Sequence, residues 1–161
     1  SCLTTKPPQM QALELRMTKV KITDSVWDWA SQNEKKLIWK LFAFGEALEF
    51  LASDSKLQVE KLEGECPFIE AWYGCCHEVL SFREKLNNHS IPSFYDKDLL
   101  DALDVLSCSF DDLTEEECVE GDVAILNLDG WCKIRELSKS PLSLIEWIIL
   151  KEWKDDIYKM L

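Results

Sequence analysis

The chain has 161 residues, the size of one domain that can bury a core without disulfide or metal support. Its composition is 47% hydrophobic and 30% charged with only five Gly and five Pro, which excludes a disordered or low-complexity protein. Its net charge of −12 argues against direct nucleic-acid binding, because acidic surfaces repel phosphate backbones.

The N-terminal region carries a helical pattern. Apolar residues recur at helical spacing after Pro7-Pro8, at Met10, Leu13, Met17 and Val20. Residues 17–21 also alternate in a strand-like way, but we predict a helix over 10–22. We expect residues 1–8 to be flexible and residues 1–161 to form a single helical domain.

Two further N-terminal features are typical of helix starts. Thr23 or Asp24 can cap a short turn that contains Trp27 and Trp29. Ser31 and Glu34 have the S-x-x-E spacing of a capping box ahead of a long apolar run over 32–52. That run is apolar on two sides, with Trp39 on the second side, which predicts a central helix.

Residues 55–62 and 68–86 predict two more helices. Gly64 ends the first, and Pro67 suits the start of the second. Apolar residues in 68–86 are three and four positions apart, the pattern of a seam packed on another helix. Residues 96–106 predict a shorter amphipathic helix, and Thr114 with Glu117 offers a second capping box.

The C-terminal third contains one ambiguous stretch. Apolar residues flank an Asp129-Gly130 turn signal, so residues 123–134 predict either a small β-hairpin or a helix that begins at Asp129. Ser140 and Pro141 then predict the start of a last helix through Leu161. The whole pattern predicts an all-α bundle of five to seven helices.

Negative charge is concentrated in one part of the chain. Between Asp96 and Asp122 there are eleven acidic residues and the single base Lys97, whereas the segment up to Ile22 has four bases and one acid. Such a segregated charge attracts basic protein surfaces. The simpler alternative is a solvated face that only keeps the protein soluble.

We therefore predict a non-enzymatic interaction domain, an adaptor or complex subunit, that binds another protein with a basic or amphipathic-helical segment. Acidic residues would steer the partner and tryptophans at predicted helix ends would anchor it, although each tryptophan has core burial as its alternative. The candidate partner-binding residues are Trp27, Trp29, Asp111, Asp112, Glu115, Glu116, Glu117 and Trp131. A homo-oligomeric structural subunit is the second hypothesis.

A thiol-dependent enzyme is the third hypothesis. Cys75, Cys76 and His77 form the cluster that would carry it, but on a helix these three side chains diverge, which predicts core or boundary cysteines. The glycine-rich phosphate loops and catalytic motifs of common enzymes are missing, and the acids from Asp111 do not have EF-hand spacing. We expect no catalytic, metal or cofactor-binding residues.

Cysteine usage and hydropathy favour an intracellular protein, in cytoplasm or nucleus. Seven cysteines form no even disulfide framework, which is typical of a reducing compartment. No apolar run reaches the roughly 18 to 20 residues of a membrane span, and residues 1–10 lack the pattern of a secretory leader.

Two short segments resemble homology regions of Bcl-2-like apoptosis regulators. Residues 42–48, F-A-F-G-E-A-L, are similar to the core of the first region, and residues 130–137, G-W-C-K-I-R-E-L, are similar to the second. The resemblance implies a helical bundle that binds an amphipathic helix in a groove. The two segments lie further apart than in that family and its N-W-G-R motif is absent, so we do not assign the chain to it.

Overall fold

The structure, a computed structural model, describes residues 20–62, 68–119 and 123–161. Within these ranges the chain forms α-helices and two short 3₁₀ turns, without any strand, which confirms the predicted all-α bundle. The helices are α1 (Ile22–Ser31), α2 (Lys35–Ala52), α3 (Ser55–Leu62), α4 (Phe68–Asn87), α5 (Lys97–Asp111), α6 (Asp129–Leu144) and α7 (Trp147–Lys159). The flexible residues predicted at 1–8 and most of the helix predicted at 10–22 lie outside the described residues.

Helix α2 is the centre of the bundle, as its two-sided apolar pattern predicts. It contacts α1, α4, α6 and α7. Phe44 stacks on Phe82 of α4 with 4.1 Å between ring centroids, and on the other side Phe42 packs against Trp147 of α7 at 5.9 Å. All four rings are buried, so α2 is held by aromatic contacts from both directions.

Helix α5 forms as its sequence predicts. Asp96 is its N-cap, and its carboxylate accepts a 3.1 Å hydrogen bond from the backbone N–H of Leu99. Leucines at helical spacing fill the core, and the aspartates between them are exposed or half-buried. The buried leucines of α5 are Leu99, Leu100, Leu103 and Leu106.

The start of the described chain differs from the prediction. The expected short turn around Trp27 and Trp29 is a ten-residue helix, α1, whose N-cap is Lys21. Ser31 does not form a capping box with Glu34, because it is the last residue of α1 and donates to the Asp28 carbonyl at 2.8 Å. The S-x-x-E spacing was misleading because it spans the junction between two helices.

The ambiguous stretch resolves in favour of a helix. Val123–Asn127 is a 3₁₀ turn and α6 begins at Asp129, so the hairpin alternative at 123–134 was wrong for the described residues. Asp129 and Gly130 occupy the first turn of α6, where an acidic side chain is favourable because the helix dipole places partial positive charge there. The two residues that suggested a turn, Asp129 and Gly130, therefore form the start of a helix.

The predicted last helix is in fact two helices. Pro141 does not open a helix but lies inside α6, one turn before its end, where it has no N–H to donate to the carbonyl four residues earlier. Three residues before it, Ser138 is buried, and its hydroxyl donates to the Ile134 carbonyl of the same helix at 2.7 Å. The chain then turns at Glu146, whose φ of 51° is left-handed, and α7 begins at Trp147.

Arg135 of α6 joins three parts of the fold. Its guanidinium donates to the carbonyl of Ser53, just after α2, at 2.8 Å, and to the carbonyl of Leu126 in the 3₁₀ turn at 3.1 Å. Gln58 of α3, which is buried, donates to the Phe50 carbonyl at 2.8 Å. The bonds to Phe50 and Ser53 provide side-chain donors for carbonyls at the C-terminal end of α2, where helix carbonyls lack partners within the helix.

Candidate partner-binding surfaces

Two of the three candidate tryptophans are core residues. Trp29 and Trp131 are each only 2% exposed, so the expectation that they lie on the surface was wrong. Each indole N–H donates to a backbone carbonyl, that of Pro92 for Trp29 at 3.0 Å and that of Glu117 for Trp131 at 2.7 Å. With its one polar atom bonded, an indole ring can be buried entirely.

Trp27 is half-buried. Its ring packs against Trp153 of α7, with centroids 5.4 Å apart, and both rings pack against the core. The contact joins the first and last described helices. Trp27 is therefore only partly available to another molecule.

The acidic residues form a surface along α5 and the loop after it. We define the acidic surface as Asp98, Asp101, Asp111, Asp112, Glu115 and Glu116, all of which are exposed. Lys97 pairs with Asp101 at 2.9 Å, and Arg83 of α4 pairs with Asp104. Val105, half exposed at 52%, lies between these acids on α5. Each of these pairs cancels the negative charge of one aspartate of α5.

Glu117 does not belong to the acidic surface. It is buried, and its carboxylate accepts from the backbone N–H and the hydroxyl of Thr114, both at 3.1 Å, and from the N–H of Gly130. The Thr114 N–H lowers the pKa of Glu117, and although burial opposes it, the Gly130 N–H and Thr114 hydroxyl lower it further. The predicted capping box thus exists, and it also caps α6.

Two exposed aromatic residues were not among the candidates. Trp39 of α2 is 53% exposed and Tyr73 of α4 is 54% exposed. Between α2 and α4 runs an open groove of about 430 Å³, with Glu46 and Glu78 among its lining residues. The sequence pattern places Trp39 on the second apolar side of α2. It does not show that no other helix covers α2 at this position.

A second cavity, the corner cavity, lies where α6 turns into α7. Its volume is about 650 Å³ and its lining is mostly apolar. Ile148, in the first turn of α7, is 80% exposed. The residues that line the corner cavity are Glu49, Lys139, Leu142, Ser143, Glu146, Trp147, Ile148 and Ile149.

Glu49 borders the corner cavity in a cluster of charges. It accepts from the indole N–H of Trp147 and from Lys151 at 3.0 Å, and Lys61 lies 3.9 Å away. Burial raises the pKa of Glu49, but the Trp147 and Lys151 hydrogen bonds outweigh it, and the pKa is lowered. The charge at this edge is thus already compensated.

The thiols of Cys75 and Cys76 have raised pKa values, which makes them poor nucleophiles. Cys75 and Cys76 are half-buried, and burial raises the pKa of each thiol to about 12, helped at Cys75 by the carboxylate of Glu78. Both are therefore protonated at neutral pH, whereas a nucleophilic cysteine needs a lowered pKa. In the described ranges no three His, Cys, Asp or Glu side chains are grouped to hold a metal ion.

Comparison with known proteins adds no family. No protein-family model, curated protein or solved structure matches the chain. Among the helices that the structure describes, none is both long and apolar enough to cross a membrane.

Proposed function

We propose that this protein is a non-enzymatic interaction domain that binds a basic segment of another protein through the acidic surface. The observation that carries the proposal is the exposure of Asp111, Asp112, Glu115 and Glu116 together, beside the exposed acids of α5. A lysine- or arginine-rich segment would be attracted at long range and would dock against the exposed apolar side chain of Val105.

Most of the tryptophans predicted to anchor the partner are buried, so a different residue must provide the apolar contact. Trp29, Trp131 and Glu117 support the fold from inside, so they shape the surface without touching a partner. Trp27 is half-buried and offers only part of its side chain. A basic amphipathic helix, with its apolar side over Val105 and its lysines or arginines over the acids, is the partner segment that fits best.

The raised pKa values of Cys75 and Cys76 weigh against the thiol-dependent enzyme. The cysteines of the described part, which include the exposed Cys108, are free thiols. Free thiols suit a reducing compartment, so we place the protein in the cytoplasm or nucleus as part of the same proposal.

The test uses two variants with equal changes of charge. In the first, Asp111 and Asp112 become Asn while Glu115 and Glu116 become Gln. In the control, four exposed acids elsewhere are neutralised in the same way: Asp28, Glu60, Glu84 and Glu152. Proteins captured from cell extract at low and moderate salt are identified for both variants and the native protein.

We expect basic partners to be retained by the native protein and the control, lost by the first variant, and weakened by added salt. A synthetic lysine-rich amphipathic helix should follow the same order in a titration. Equal binding by all three proteins would show that the acidic surface is only a solvated face.

Self-association is the second candidate function, favoured by the exposed rings of Trp39 on α2 and Tyr73 on α4. Sedimentation velocity at micromolar concentration decides it. A dimer that Trp39→Gln converts to a monomer would support this candidate, and a native monomer would remove it.

A further inference from the structure

The corner cavity is bordered by the most exposed aliphatic side chain in the described part of the chain. Ile148 is among the lining residues and is 80% exposed, whereas the other large exposed apolar side chains described are at most 54% exposed. Most of the Ile148 side chain therefore projects into solvent beside an apolar cavity of about 650 Å³. Apolar surface of this kind, with polar residues around it, is typical of an interaction site.

The wall of the corner cavity is held in place by hydrogen bonds. The ring of Trp147 is 5% exposed, and its indole N–H donates to the Glu49 carboxylate. The turn before it is held as well, because the Glu146 carboxylate accepts from the Thr23 hydroxyl at 3.1 Å and lies 3.4 Å from the Lys21 ammonium. The cavity is thus formed in advance, so little ordering of side chains opposes docking.

The charges around the corner cavity are paired within the molecule. Each charged residue that lines the cavity has a partner of opposite sign: Glu49 with Lys151 at 3.0 Å, Glu146 with Lys21 at 3.4 Å, and Lys139 with Glu136 at 2.7 Å. This face is therefore close to neutral, although the chain has a net charge of −12. A neutral face attracts neither a basic nor an acidic partner at long range, and a second copy of an acidic molecule can approach it without strong repulsion.

A projecting side chain and a cavity on one face make that face complementary to its own copy. In a two-fold dimer both subunits use the same surface, so the projecting side chain of each copy can enter the cavity of the other. We propose that the corner cavity is a homodimer interface, in which Ile148 of each copy fills the cavity of the other. This interface does not rest on the acidic surface, and it does not use Trp39 or Tyr73.

Sedimentation velocity of the full chain tests this over a roughly hundredfold range of micromolar concentrations. The native protein should change from monomer to dimer across the range. Ile148→Ser removes the projecting side chain and Leu142→Trp fills the cavity, and each should weaken dimerisation at least about tenfold. Val105→Ser is the matched control, because Val105 is also exposed, at 52%, but lies on α5, so it should leave the dimer unchanged.

A mixture of the two variants tests the reciprocal arrangement. The Ile148→Ser copy keeps its cavity and the Leu142→Trp copy keeps its Ile148, so a mixed dimer retains one of the two contacts. It should be tighter than the dimer of either variant alone. Added salt should not weaken the native dimer, whereas it weakens the binding of a basic segment to the acidic surface, so failure of one proposal is visible separately from failure of the other.

Four results would overturn the proposal. A native protein that stays monomeric over the whole range would show that the corner cavity is not a homodimer interface. A dimer that Ile148→Ser leaves intact and Trp39→Gln disrupts would place the interface on α2. A mixture no tighter than its components would exclude the reciprocal docking of Ile148. A native dimer that salt dissociates would show that charge attraction holds it together.

Discussion

The carboxylate of Glu117 occupies the space that a side chain at Gly130 would need. A Cβ built on Gly130 overlaps the carboxylate oxygens, and the Gly130 N–H donates to the same group. The close approach lets one buried acid cap α6 from a 3₁₀ turn at Glu116–Cys118, with Glu117 13 residues before Gly130. Gly130 is therefore required for space and not for backbone conformation.

Gly130→Ala should destabilise the protein by about 1 to 3 kcal/mol, because the added methyl group displaces the Glu117 carboxylate and leaves buried N–H groups without an acceptor. Gly74→Ala is the control. It places the same methyl group inside α4 with no atom within 4 Å, so it should stabilise by about 0.5 to 1 kcal/mol. Urea denaturation measures both, and equal effects would contradict this account.

Glu117→Gln should remove a pH-dependent part of the stability. Because folding lowers the pKa of Glu117, the carboxylate stabilises the folded state fully above the unfolded pKa of about 4.5, and this contribution is lost as pH falls through the lowered folded value. Native and variant proteins should differ by about 1 to 3 kcal/mol at pH 7 and converge in acid. A difference that does not change with pH would exclude this role.

Gly45→Ala tests the packing of α7 on α2. A Cβ on Gly45 overlaps the six-membered ring of Trp147, so the substitution should destabilise by about 1 to 3 kcal/mol. Trp147→Leu makes room, and the double variant should be less destabilised than the sum of the two single variants. Strict additivity of the unfolding free energies would show that the two residues do not compete for space.

Cys75 and Cys76 should resist alkylation in the native protein. A thiol with a pKa of about 12 has roughly a thousandth of the thiolate of an ordinary cysteine at neutral pH. Iodoacetamide labelling followed by mass spectrometry should modify the exposed Cys108 first, and denaturant should remove the difference. Selective modification of Cys75 or Cys76 would revive the thiol-dependent enzyme.

The sequence predicts the helices wherever apolar residues recur at helical spacing. It does not predict where one helix ends and the next begins. The apolar seam of α4 and the leucines of α5 follow local spacing, so the sequence alone predicts them. The Asp129-Gly130 pair carries a local turn signal that a tertiary contact overrides, because Glu117 caps α6 from outside the helix. Pro141 carries a local helix-start signal, yet it lies inside α6. The same residue types favour turns and helix N-termini, so only the packed fold shows which of the two forms.

The site was less predictable than the fold, for a different reason. Exposure of Asp111, Asp112, Glu115 and Glu116 follows from their charge, whereas Glu117 differs from its neighbours through its hydrogen bonds to Thr114 and to Gly130 of α6. Trp29 and Trp131 are buried because backbone carbonyls from distant parts of the chain meet their indole N–H groups. Such partners are not visible in a linear sequence.

The central place of α2 also determines when this protein can fold during its synthesis. Arg135 bonds to Ser53 across 82 residues of sequence, and Trp147 bonds to Glu49 across 98. One side of α2 therefore has no covering helix until α6 and α7 have left the ribosome. Until then a nascent chain presents a long apolar helix face to the chaperones around the exit tunnel, and its folding is completed only after translation has passed Ile157.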